Sequence, residues 1–191
     1  GAYIRGEIKE LCLQVPPQYA ILTAIGTQHL ERFKTLKKTT LAKFELVDAV
    51  KPGNALVNLD NSFIKNHLQN PKYHDIKTYS LYDSKADFFI KNYSLSANGL
   101  SFTLVYLKKS YAFSSPLFGL SNLQNLAAAI GLSFILKVPY DTIKKAVSGL
   151  VSSPHRLELK KLNQAILVDN AYSSNEAGLI QLLSDLGKIP G

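Results

Sequence analysis

The chain has 191 residues, 46% of them hydrophobic and 19% charged, which excludes an intrinsically disordered polymer. One cysteine, Cys12, rules out an internal disulfide and suits a reducing compartment, and the longest nearly apolar stretch, Leu126–Leu136, is too short and too interrupted to span a bilayer. The net charge of +8 reads as a lysine-rich solvated surface or as attraction for polyanions.

No N-terminal segment has the basic-then-apolar form of a signal peptide, so the expectation is a soluble cytoplasmic protein without a membrane role. Basic residues come only in short pairs such as Lys37-Lys38 and Lys160-Lys161. No helix-turn-helix, zinc-finger or aromatic-basic RNA motif accompanies them, so nucleic acid is not an expected partner.

In chain order, Ile4–Val15 reads as the end of a helix with Ile8, Leu11 and Val15 on one side, stopped by Pro16-Pro17. Tyr19–Ile25 is a short apolar run bounded by prolines and Gly26, the pattern of a strand buried on both faces of a parallel sheet. A helix is predicted from Thr40 to Val50, with Lys43 in its first turn. Ala55–Leu59 reads as a second buried strand, followed by a helix to about Leu68, and Ile76–Leu81 as a third strand. Ala86–Leu95 and Leu100–Leu107 form a predicted hairpin with Asn98-Gly99 at its turn.

Ser121–Lys137 is the clearest helix, with Leu123, Leu126, Ala127, Ile130 and Phe134 at helical spacing. Pro139 opens the next, Tyr140–Leu150. Ser152-Ser153-Pro154 reads as a linker. Beyond it Arg156–Leu162 alternates, Ala165–Val168 reads as a buried strand, and Asn175–Leu186 as an amphipathic helix. Alternating strands and helices imply an α/β architecture with a boundary near Pro154.

Several residues invite a functional reading from position alone. Polar groups just beyond the carboxyl end of a parallel strand are where α/β sheets gather ligands, and Gly26-Thr27-Gln28-His29 falls there. His29 serves there as a metal ligand or as a hydrogen-bonded loop residue. Lys43 points to solvent or converges on the same site. Asn122 and Asn125, three apart near a helix start, share one side of it, as ligand contacts or as capping and surface amides.

The same stretches carry a resemblance. Ile25-Gly-x-x-His29-Leu30-Glu31-x-Phe33, then Ala42-Lys43-x-Glu45-Leu46, resembles the central domain of the Mur ligases, the ATP-dependent enzymes that build the peptide of bacterial cell-wall precursors. Gly119-Leu-Ser-Asn122-Leu-Gln-Asn125-Leu-Ala-Ala128 is similar to the family's Gly-x-His-Asn-x-x-Asn-x-x-Ala-Ala, with Ser121 in place of His. Pro154-His-Arg156-Leu-Glu158 with Asp169-Asn-Ala-Tyr172 and Asn175 is similar to its Pro-Gly-Arg-Leu-Glu and Asp-Asp-Ala-Tyr-Asn-x-Asn-Pro, with His155, Ser173 and Glu176 as departures. The likeness is strongest to the branch that adds D-alanyl-D-alanine to a UDP-N-acetylmuramoyl-tripeptide.

That resemblance implies a P-loop-type Mur ligase central domain over residues 1–151, with an antiparallel hairpin, and the first strand-helix unit of a Rossmann-like C-terminal domain over 154–191. It implies that His29 and a carbamylated Lys43 serve Mg2+, and that Asn122 hydrogen-bonds the adenine of ATP, with Asn125 a further cofactor-binding residue. Arg156 and Asp169 would reach the nucleotide from the second domain, beside Tyr172 and Asn175, and Glu45 would lie behind the site or at the surface. Lys43, His29 and Arg156 are then the catalytic set, and the partners are a UDP-linked muramoyl peptide and an amino acid or dipeptide, on a monomer.

No G-x-x-x-x-G-K-[ST] phosphate loop occurs in the sequence, so the chain reads as a fragment truncated at both ends, with the magnesium-binding Glu just before residue 1 and no activity by itself. Folate- and cyanophycin-type ligases share the implied fold. A non-catalytic nucleotide- or nucleic-acid-binding module is the alternative of another class.

Overall fold

In the computed structural model, which describes residues 3–27, 30–163, 165–172 and 176–189, the chain divides into two units, Gly1–Phe89 and Ile90–Gly191. The first opens with α1 (Glu7–Gln14), which buries none of its residues. The apolar residues expected on its buried side do not enter the core: Leu11 is 52% exposed and Val15, just past its end, 76%.

Next come β1 (Ala20–Leu22), the short α2 (Leu30–Phe33), α3 (Leu36–Asp48), β2 (Ala55–Asn58), α4 (Ser62–His67), a 3-10 turn at Pro71–Tyr73, and β3 (Lys77–Ser80). β4 (Phe88–Ser96) begins in this unit and runs into the next. The strands pair in parallel, with Ala20 opposite Ala55, Leu56 opposite Lys77 and Tyr79 opposite Phe88. The β3–β4 pairing covers Tyr79 and Ser80, and the strands are joined by the helix-free connection Leu81–Asp87. Ala20, Leu22, Phe44, Val47, Val57 and Ile64 form the core under this sheet.

The predicted helix around Lys43 starts at Leu36 rather than Thr40. Thr35 caps it, its hydroxyl accepting the Lys38 N–H at 3.2 Å. The threonines that looked like a helix start, Thr39 and Thr40, are buried one turn inside, their hydroxyls donating to the carbonyls of Thr35 and Leu36. Lys43 therefore lies mid-helix and not in the first turn.

In the second unit the remainder of β4 leads through Ala97-Asn98 into β5 (Gly99–Tyr106). Gly99 is required by space as well as by its φ of +114°, since a Cβ there would lie 2.1 Å from the Ser115 carbonyl oxygen. A strand not anticipated from sequence, β6 (Lys109–Ser115), pairs antiparallel with β5 and sets Phe102 opposite Phe113. Leu107 and Lys108 make the turn between them with positive φ, in a stretch with no glycine to announce it.

α5 (Leu120–Ile135) buries Leu123, Leu126, Ala127 and Ile130, as its periodicity predicts. α6 (Tyr140–Ser148) buries Ile143 and Val147, and its Tyr140 hydroxyl donates to the Ala112 carbonyl at 2.7 Å. β7 (Glu158–Leu162) and β8 (Ala165–Asp169) pair antiparallel, followed by α7 (Glu176–Leu186). The expected burial of Ala165–Val168 is not found: Ile166 is 44% and Leu167 45% exposed and Val168 only half-buried, in a two-stranded ribbon separate from the main sheet. Among the described residues no helix is long and apolar enough to cross a membrane.

Candidate functional site

Two places concentrate polar chemistry. The first is the carboxyl end of β1, where the chain leaves the sheet and three successive carbonyls lack strand partners. Each is met by a side chain: Thr23 by Asn58 Nδ2 at 2.9 Å, Ala24 by Lys43 Nζ at 3.0 Å, and Ile25 by Asn61 Nδ2 at 2.9 Å. Asn58 ends β2, and Asn61 also caps α4 through the Ile64 N–H. Lys43 is thus turned toward the strand end and not out to solvent. Its half-burial holds its pKa below the ordinary lysine value, because desolvation disfavours the ammonium. His29 lies outside the described residues.

The second place is an open cavity of 360 Å³ in the Ile90–Gly191 unit. It brings Asn122 and Asn125 from α5 together with Arg156, and Ser152 and Ser153 of the linker form part of its wall. Asn122 is tethered, its amide donating to the Phe118 carbonyl at 2.7 Å. The Arg156 guanidinium lies 4.1 Å from the Tyr172 ring centroid, a cation–π contact that orders an otherwise exposed side chain. Asp169 and Tyr172 do not line the cavity, and Asn175 lies outside the described residues.

Asp169, at the end of β8, accepts from Lys160 Nζ at 2.6 Å, from His155 Nδ1 at 2.8 Å and from the Ala171 N–H at 3.2 Å. Lys160, then His155, brings its pKa down to about 2. Donor atoms of His155, Glu158 and Asp169 fall within 4.8 Å of one another. The Lys160 ammonium, 3.3 Å from Glu158 and 2.6 Å from Asp169, already supplies the positive charge there, so this cluster is an ion-pair network and not a metal centre. His155 has φ +61°, a left-handed backbone that favours glycine, and its bond to Asp169 offsets the strain of holding a histidine there.

Asn58 and Asn61 escaped the sequence reading, although the strand-end rule that singles out His29 applies equally to Asn58-Leu-Asp-Asn61. Glu45 is neither behind the site nor a free surface group. Its carboxylate accepts the Gly6 N–H at 2.8 Å and the Lys9 N–H at 3.1 Å, fastening α1 to α3.

The fold is that of an α/β protein with an amine held at the end of a parallel strand and, separately, a cavity lined by amides and an arginine. The Mur ligase middle domain matches residues 2–133, and the chain belongs to the Mur ligase family. The UDP-N-acetylmuramoyl-tripeptide–D-alanyl-D-alanine ligase of Buchnera aphidicola is 32% identical over all of this chain, and that of Escherichia coli 28%. In each case the chain spans 43% of the relative. A crystal structure of MurF from Acinetobacter baumannii is 25% identical, with a TM-score of 0.85 over all of this chain and 42% of that one. The MurF ligase of Thermotoga maritima, solved in complex with ADP, shares the fold at 22% identity, with a TM-score of 0.80 over all of this chain and 44% of that one.

Proposed function

We propose that this chain supplies the nucleotide- and metal-handling part of an ATP-dependent ligase that joins D-alanyl-D-alanine to a UDP-N-acetylmuramoyl-tripeptide in the cytoplasm. The carrying observation is the cavity in which Asn122 and Asn125 meet Arg156. At 360 Å³ it suits a nucleoside and not a whole nucleotide. The Asn122 and Asn125 amides offer the donors and acceptors that an adenine edge needs, and Arg156 offers a bidentate cation for phosphate. The family boundary near Pro154 would make the cavity one whose walls come from both sides of a linker, able to close on its ligand.

In the reaction the tripeptide carboxylate takes the γ-phosphoryl group of ATP, the dipeptide amine attacks the acyl phosphate, and amide, ADP and phosphate result. Mg2+ supplies charge neutralisation on the phosphoryl oxygens. Lys43 fits that ion as a carbamate. Its depressed pKa favours the neutral amine that adds CO2 with loss of one proton, and the product keeps one N–H for the Ala24 carbonyl while gaining two hard oxygens. His29 would join it as a nitrogen ligand. Asp169 and Tyr172 hold the hairpin and Arg156 in place, with Asn175 beside them.

The test uses the full-length enzyme and measures phosphate release that depends on both UDP-N-acetylmuramoyl-tripeptide and D-alanyl-D-alanine. Turnover only with a folylglutamate or an aspartate-arginine polymer would reject the cell-wall assignment. A parent that binds nucleotide but turns over none would favour a binding module.

A further inference from the structure

Among the described residues the most buried carboxylate is Asp185 on α7, 2% exposed, and no role above uses it. Its Oδ2 accepts the backbone N–H of Leu120 at 2.8 Å, while Oδ1 accepts from Gln181 Nε2 at 2.8 Å. Leu120 is the first residue of α5, and Gly119 at the cap position has no side chain to satisfy that amide. Asp185 caps the helix from a distance of 65 residues.

Gly119 makes the approach possible. Its φ is +90°, and a Cβ there would lie 3.3 Å from Asp185 Oδ2 and 3.1 Å from Leu157 Cδ1. On the other side of Gly119 the Phe118 carbonyl is taken by the Asn122 amide. The two peptide groups flanking this glycine are therefore pinned, one by Asp185 and one by Asn122. Both side chains also line the cavity.

We propose that Asp185 is a positioning residue that clamps the first turn of α5 from beyond the Ser152-Ser153-Pro154 linker and so sets the orientation in which Asn122 meets the nucleotide base. This rests on the reading that the cavity takes the base. An anionic cap on a buried helix N-terminus is also favoured by the helix dipole, and removing it leaves the Leu120 N–H unsatisfied.

The experiment compares wild type, Asp185→Ala, Asp185→Asn, Gly119→Ala and Asn122→Ala in the full-length enzyme. It measures affinity for a fluorescent ATP analogue and the KM of each substrate. Asp185→Ala weakens nucleotide binding about tenfold, the loss expected for one buried charge-assisted hydrogen bond, while KM for the other two substrates stays within about twofold. Asp185→Asn keeps an oxygen acceptor for the Leu120 N–H and restores most of the affinity. Gly119→Ala leaves Asp185 in place but crowds it, and shifts the same constant in the same direction even if Asp185→Ala folds poorly.

Wild-type nucleotide affinity in Asp185→Ala, or a parallel rise of all three KM values with no rescue by Asn, overturns the proposal. If Asn122→Ala weakens binding and Asp185→Ala does not, the clamp is wrong and the base-binding reading stands. If both variants bind nucleotide as tightly as wild type, that reading falls and the clamp with it.

Discussion

Asp169 shows how a single carboxylate can be committed before any ligand arrives. Lys160 first, and His155 second, hold its pKa near 2 against the ordinary 3.8. A carboxyl whose folded pKa is depressed contributes stability that is complete above 3.8 and is lost as pH falls through about 2. Replacing Lys160 with Met is expected to return the Asp169 titration toward 3.8 and to bring the acid loss of the β7–β8 ribbon to higher pH. Carboxyl carbon shifts followed between pH 5 and pH 1, a window of about that width for such a pair, measure both. An unmoved titration would assign the shift to His155 and the Ala171 N–H instead. Tyr79 is the opposite case: it is fully buried in β3, its hydroxyl has no partner among the described residues, and burial pushes its pKa up. Tyr79→Phe removes an uncompensated polar group without leaving a cavity and is expected to stabilise the chain by about 1 kcal/mol in urea unfolding.

At the scale of elements, α1 is held by polar caps and not by burial. Glu45 offers both carboxylate oxygens to the first turn of α1, Gly6 supplies the left-handed φ of 101° ahead of it, and Arg32 lies 4.8 Å over the Tyr3 ring. Glu45→Ala should cost about 1–2 kcal/mol, the value of a lost cap with charge-assisted bonds, and should release α1 while α3 stays folded. Hydrogen exchange separates the two: amides of Glu10–Gln14 lose protection and those of Phe44–Asp48 keep it. Equal loss in both helices would mean that Glu45 supports the whole unit. The same element shows what the sequence could reveal. β2, β3, α5 and α6 were legible because buried runs and helical spacing are local signals, and Ala42-Lys43-x-Glu45 marked the helix that matters. The start of α3 was misread because Thr39 and Thr40 resemble caps but bond backward to the preceding turn. β6 was missed because its turn uses Leu107 and Lys108 in place of glycine. Asp185 and Glu45 act on partners 65 and up to 39 residues away, and no local pattern carries such a pairing.

For the molecule as a whole, family membership and exposed apolar surface bear on each other. The chain spans 43% of the length of the Buchnera and Escherichia ligases. Within it, α7 presents Leu182 and Asp185 inward yet leaves Leu179 47%, Ile180 60% and Leu183 60% exposed, while Ile166 and Leu167 of β8 are also open. A helix that is apolar on both sides belongs between two layers, and one side of α7 has a layer. The 191-residue chain taken alone is therefore expected to cover that outward side by self-association. Ile180→Lys with Leu183→Lys removes the driving force without touching Leu182 or Asp185. The double variant should elute as a monomer, bind less of an apolar fluorescent dye and melt where the unsubstituted chain does. Light scattering across a concentration series decides the matter: a wild-type chain that stays monomeric and dye-silent at high concentration would show that this side of α7 needs no cover.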